Sequence, residues 1–142
     1  MIKHGEFVVE TDRYNVLVPL GDRVEEIVRQ CGVHDGVVYV ISGHTTCGIT
    51  VNERLECLED DIMKCLAEQY PEDGDYYHAR FLESYGAMAG NPTGHLKAMV
   101  TGNHAVFTIA EGHMRKGHAQ EIYLAEFDGP QERTVYVTVI GE

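Results

Sequence analysis

The stretch RTVYVTVI at residues 133–140 reads as a β-strand with period two: Val135, Val137 and Val139 share one face, and Thr134, Tyr136 and Thr138 the other. A second run, VVYVI at residues 37–41, is apolar throughout and of strand length, which predicts burial on both faces. Around these lie further strand candidates at residues 49–51, 105–109 and 121–127. Nearer the N-terminus, residues 5–10 and 14–19 read as two strands joined through Thr11, Asp12 and Arg13 into a hairpin. Between the strands the spacing changes to 3.6. Val24, Ile27, Val28 and Cys31 mark a helix capped by Asp22 and ended by Gly32. Leu55, Leu58, Ile62, Cys65 and Leu66 mark the buried stripe of a second helix over residues 56–70, which Pro71 stops. A short helix over residues 93–100 has Thr93 as its N-cap, and residues 71–92 before it are irregular. Helices and strands mix without a βαβ alternation. The expected fold is a single α+β domain over residues 1–142, with a mixed, largely antiparallel sheet, two longer helices and one short one.

The 142 residues carry 23 acidic and 11 basic side chains, a net charge of −12 that would repel phosphate backbones and argues against nucleic acid as a partner. The acidic excess gathers in residues 53–75, where a solvated helix face and loop account for most of it. The N-terminal MIKHGEFVVETDRYN has early charges and no long apolar run, so it does not read as a signal peptide. No later run approaches a membrane span, and the expected location is the cytoplasm. Cys31, Cys47, Cys57 and Cys65 form no C-x-x-C pair, which leaves zinc ribbons and thioredoxin-like chemistry unsupported. Cys57 and Cys65 fall on one helical face as small core residues. Cys47 reads as packing too, since no basic residue flanks it.

Chemistry is more legible in the histidines, of which there are eight. His44 follows the apolar strand through Ser42 and Gly43, His78 lies in the irregular segment, and His95 in the first turn of the short helix. Each is close to an element end, where loops can converge on one point. Three neutral imidazoles can bind a divalent transition metal and leave a position open for water or substrate. Their spacing matches no short metal signature, so three unrelated, locally satisfied histidines are the alternative. A second group, Asn52, Glu53 and Asp61, could orient a ligating imidazole, move a proton or position substrate, or could only enrich a helix start in acids. A third lies in the glycine-bracketed loop GHMRKGHAQ at residues 112–120. Arg115, Lys116 and Gln120 there could meet an anion, or the loop could be a plain connection.

These segments together resemble a known family. HTTCGITVNE at residues 44–53, YYH at 76–78, GHLK at 94–97, the spaced Gly112, Gly117 and Gln120, EFDGP at 126–130 and Arg133 are similar to the motifs of the secondary thiamine-phosphate synthase (YjbQ-type) family. The chain departs from that pattern at Gly94, at His118-Ala119 and at Gln131. The resemblance implies a small α+β subunit that forms a homotrimer. It also implies one divalent metal held by His44, His78 and His95, zinc first, with manganese, iron or magnesium as alternatives. The implied activity joins aminopyrimidine pyrophosphate to thiazole phosphate, giving thiamine phosphate. In that reading Glu53, Asp61 and Asn52 serve the chemistry, and Lys116, Arg115, Gln120 and Arg133 bind the phosphorylated small molecule. A metal-dependent hydrolase is one alternative, and a non-catalytic trimer binding a metal or metabolite is the other.

Overall fold

The computed structural model describes residues 1–80 and 91–142. Along the chain run β1 (Ile2–Glu10), β2 (Val16–Pro19), α1 (Gly21–Cys31), β3 (Gly36–Ser42), β4 (Cys47–Glu53) and α2 (Glu56–Gln69). They are followed by α3 (Tyr77–Arg80), α4 (Pro92–Thr101), β5 (His104–Ala110), β6 (His113–Met114), β7 (Gln120–Glu126) and β8 (Glu132–Gly141). The α+β class stands, with three helices of ten residues or more among the described residues. The single sheet does not. The strands form two sheets, β1-β8-β3-β5-β6 and β2-β7-β4, and every pairing is antiparallel.

The first two strands belong to different sheets, so the expected N-terminal hairpin is absent: β1 pairs with β8 and β2 with β7. The reason lies at the corner between them. The Thr11 backbone N–H donates to the Gln131 carbonyl at 2.9 Å, and its hydroxyl donates to Glu126 at 2.7 Å. The chain is thereby pulled across from one sheet to the other instead of turning back on itself.

The alternation in β8 works as the sequence implies. Val135, Val137 and Val139 are buried at 1% exposure or less and meet Val38 and Val40 of β3. Opposite them stand Ile122 and Leu124 of β7 and Ile49 of β4, with Val24 and Val28 of α1 closing the same core. The outer positions of β3 (Val37, Tyr39 and Ile41) are only half-buried, so β3 is covered on one face. Instead it is β7 that is buried on both. Tyr123, Ala125 and Phe127 turn away from the main core and pack under Leu66, Ile62 and Met63 of α2 and Ala98 of α4. The layers are therefore the five-stranded sheet, then the three-stranded sheet beside α1, then α2 and α4.

Helix boundaries hold to within a residue or two, but their anchoring differs. No side chain caps α1 from within. Glu121 of β7 reaches over and accepts the Gly21 N–H at 2.8 Å, and the left-handed Gly32 (φ 73°) ends the helix. In α2 only Leu66 is fully buried, and Cys57 and Cys65 are exposed, against the expected core stripe. Pro92 opens α4, and Thr93 donates its hydroxyl to Glu72 and does not cap the helix. Part of the irregular stretch expected at residues 71–92 is the turn leading into α3; residues 81–90 lie outside the described residues.

Candidate functional site

Strand register sorts the sequence candidates into two ends of the molecule. In the β4–β7 pair, Cys47 faces Glu126 at one end and Glu53 faces Gln120 at the other. Seven residues of β-strand at about 3.4 Å each separate these ends by roughly 20 Å. Asn52, Glu53 and Gln120 are therefore at the far end, and Lys116 joins them by donating from Nζ to the Gln120 carbonyl. Arg115 is exposed on the same loop, its backbone N–H bound to Thr108. Asp61 is exposed on α2. None of these six lines either of the cavities that His44, His78 and His95 border. His44 and Arg133 do share the near end, where Ser42 pairs with Val135.

At that end a charged pair pins the two sheets together. Arg133 of β8 is 2% exposed and Glu126 of β7 is 0% exposed. The guanidinium donates from Nε to both Glu126 oxygens at 2.9 and 3.0 Å, and from Nη2 to the Thr46 hydroxyl at 2.8 Å. Thr11 gives the carboxylate another donor. A buried pair survives only with its remaining hydrogen-bonding capacity filled, and these threonines do that. The positive charge of Arg133 is thus largely spent on Glu126. The sequence carries a signal for this in the lone carboxylate inside the apolar run I-Y-L-A-E-F at residues 122–127.

A cavity of about 290 Å³ opens beside the pair, lined by His44, Thr45, Thr46, Asn91, His95, Asp128, Gln131 and Arg133 with Gly43. Asn91 donates from Nδ2 to Asp128 at 2.7 Å, which fixes its amide orientation, since the flipped amide would set oxygen against carboxylate. Its Oδ1 is then a buried acceptor without a partner. Sequence reading passed over Asn91 and Asp128. A second cavity of about 380 Å³, with Tyr76, Tyr77, His78, Pro92 and Leu96 in its wall, shares His95 with the first. His95 is thus common to both walls, with His44 in the first and His78 in the second.

The ring spacing at two of the three positions matches that of a metal-bound pair. Two imidazoles on one tetrahedral metal, with nitrogens near 2.0–2.1 Å from it, place their ring centroids about 5 Å apart. The His78 and His95 rings are 5.1 Å apart and tilted by 57°. His44 does not complete the set in this arrangement. Its Nε2 accepts the Thr134 N–H at 2.8 Å, so the neutral ring carries its hydrogen on Nδ1 and has no lone pair to spare. Burial, followed by the positive charge of Arg133, holds the His44 pKa below its ordinary value and favours this neutral form. Among the described residues no group of three His, Cys, Asp or Glu side chains is placed to hold a metal. Cys47, beside Ser42, is 1% exposed, and burial raises its pKa, which leaves a packed thiol and not a nucleophile.

Comparison with known proteins agrees along nearly the whole chain. The family model described as UPF0047 protein YjbQ-like matches residues 5–142. A UPF0047 protein of Methanothermobacter thermautotrophicus is 31% identical over 137 residues, covering 96% of this chain and 91% of the relative. UPF0047 protein YugU of Bacillus subtilis is 29% identical, covering 94% and 96%. Among solved structures, a YbjQ-like protein of unknown function from Sulfolobus solfataricus superposes with a TM-score of 0.92 at 31% identity, covering 100% of this chain and 99% of that one. A yjbq/upf0047 family protein from Clostridium acetobutylicum gives a TM-score of 0.86 at 34% identity, covering 95% and 98%. With the motifs, the fold and the family model in agreement, the chain belongs to the YjbQ-like UPF0047 family.

Proposed function

We propose that this protein is a metal-dependent enzyme acting on a phosphorylated small molecule, as a homotrimer, with thiamine-phosphate formation the first reaction to assay. The observation that carries the reading is the His78–His95 pair, set 5.1 Å apart at the junction of two cavities. Cavities of this size suit small molecules and not polymers. His78 and His95 would hold the metal, zinc first among the candidates, with manganese, iron or magnesium behind it. Bound there, it would polarise a phosphate oxygen as a Lewis acid.

The chain's own groups do the rest. His44, neutral and tied by Nε2 to Thr134, presents Nδ1–H as a fixed donor to the cavity. Asn91 Oδ1 offers an acceptor to a donor group on the ligand. Arg133, held by Glu126 and Thr46, fixes the cavity wall and contributes a local positive edge, not a free charge. Lys116, Arg115 and Gln120 could meet the same phosphate, and Glu53 and Asn52 could move a proton or position the substrate, only from a neighbouring copy, because in one chain they lie at the other end.

The test is zinc content and turnover of the purified protein and of its His78→Ala and His95→Ala variants. Loss of metal from both variants, with pyrophosphate released from aminopyrimidine pyrophosphate and thiazole phosphate by the wild type, supports the reading. Release of inorganic phosphate alone would favour the hydrolase. Full metal content in His95→Ala sinks the metal assignment.

A further inference from the structure

Glu72 sits on the turn that leads into α3, and three separate donors converge on its carboxylate. The Tyr14 hydroxyl donates at 3.1 and 3.2 Å to its two oxygens, and the Thr93 hydroxyl at 2.9 Å. Lys97 Nζ lies 3.6 Å away. The contrast in burial is large: the Lys97 side chain is 3% exposed and that of Glu72 is 58% exposed. Among the described residues Glu72 is the carboxylate that Lys97 reaches, so a nearly buried ammonium depends on an acid carried by an otherwise exposed turn. Leaving such an ammonium unpaired is costly, and that cost holds the turn down.

The turn carries two hydrogen bonds of its own. The Tyr76 hydroxyl and the Gly74 N–H both donate to the Pro71 carbonyl, at 2.8 and 3.1 Å. Its residues are mostly exposed, so burial does little to fix it against the body, and the Glu72 side chain ties it to α4 and to Tyr14. Thr93 and Lys97 are one helical turn apart on α4 and bracket His95, while His78 stands two residues beyond Tyr76.

We propose that Glu72 is a positioning residue: it latches the 71–76 turn onto α4 and Tyr14 and thereby sets the distance between His78 and His95. The consequence for turnover rests on the function proposed above, but the latch itself does not.

The test uses the full chain with isotope-labelled histidine. Rings 5.1 Å apart give a cross-peak between the His78 and His95 ring protons in the wild type. Glu72→Ala is expected to abolish it, and Glu72→Gln, which keeps an acceptor but not the charge, to weaken it. In both, the backbone spectrum of β3, β7 and β8 should be unchanged. Zinc affinity should fall about 10–100-fold, as for other groups that orient metal-binding histidines. A merely structural role would lower the melting temperature and leave the cross-peak intact below it. If Glu72→Ala does not fold, Glu72→Gln and Thr93→Ala carry the test. Wild-type cross-peaks in every folded Glu72 and Thr93 variant would overturn the proposal. A lost cross-peak in a protein that turns over no substrate would uphold the latch and count against the enzyme reading.

Discussion

Arg133 shows how far one side chain's role depends on its neighbour. Alone in the sequence it reads as a phosphate binder, but in the fold it is the buried partner of Glu126. Removing one member of such a pair strands the other and costs about 3–5 kcal/mol, whereas replacing both with apolar residues of similar volume is often close to neutral. Urea unfolding should therefore show Arg133→Met as strongly destabilised and Arg133→Met/Glu126→Leu as distinctly less so. An additive loss in the double variant would refute the pinning role. His44 makes a second claim at this scale. Its folded pKa is lowered by burial and by Arg133, so between the folded value and the ordinary 6.5 the unfolded chain binds the extra proton. Its contribution to stability is thus complete above about pH 6.5 and declines as pH falls below that. The exposed His34, raised by its hydrogen bond to Asp35, acts in the opposite direction. Unfolding midpoints measured from pH 7.5 to 5.5 should fall less steeply in His44→Asn than in the wild type. Nitrogen shifts of His44 should report the Nδ1–H tautomer; an Nε2–H signal would contradict the Thr134 bond.

At the scale of elements, α4 matters most, because it carries His95 and crosses β4 at close range. Gly48 makes the crossing possible. A Cβ there would collide with Thr101 Oγ1 and come within 2.5 Å of the Gly102 carbonyl oxygen, which is backbone and cannot swing aside. Gly48→Ala should push the end of α4 outward and cost about 1–3 kcal/mol, the usual penalty for overpacking. A melting temperature equal to wild type would show that the crossing is looser than it looks. The position lies inside the HTTCGITVNE motif, so part of that motif records packing and not chemistry. The helix α2 makes the complementary point. Its apolar spacing is real, yet it lies over the outer face of the three-stranded sheet and uses only Leu66, Ile62 and Met63, which leaves Cys57 and Cys65 in solvent.

For the whole molecule, the unusual surface is the outer face of the five-stranded sheet, which none of the described helices covers. Val8, Tyr136, Ile140 and Val106 on it are 41–51% exposed, and in a chain of net charge −12 its central rows carry the carboxylate of Glu6, with Glu10 and Glu132 paired at one edge. A second copy of the same acidic chain meets little repulsion there, which makes this face the candidate seam of the proposed homotrimer. Light scattering should give three times the 15.9 kDa chain mass, and Tyr136→Glu should lower it; a monodisperse wild-type monomer would end the idea. Assembly also bears on the site. If the glycine loop of one copy serves the histidines of the next, co-refolded His95→Ala and Lys116→Ala chains should recover activity that neither has alone. Unchanged phosphate-dependent binding in Lys116→Ala would leave the loop a connection.

The sequence by itself determined what is local. Period-two and period-3.6 spacing located the longer strands and helices to within a few residues but not β6 or α3, Gly32 and Pro71 ended helices where their backbone constraints require it, and the ordered motifs pointed to the family. It could not determine which strand pairs with which. Residues 5–10 and 14–19 have the local look of a hairpin, and only Thr11 bonding to Glu126 and Gln131, more than a hundred residues away, sends them into separate sheets. The candidate site divides in the same way. The identities of His44, His78, His95 and Arg133 are legible in the chain, but whether a nitrogen is free or a charge is spent depends on Thr134 and Glu126. Hydrogen bonding and desolvation act at distances of about 3 Å, and only the packed fold decides which groups come that close.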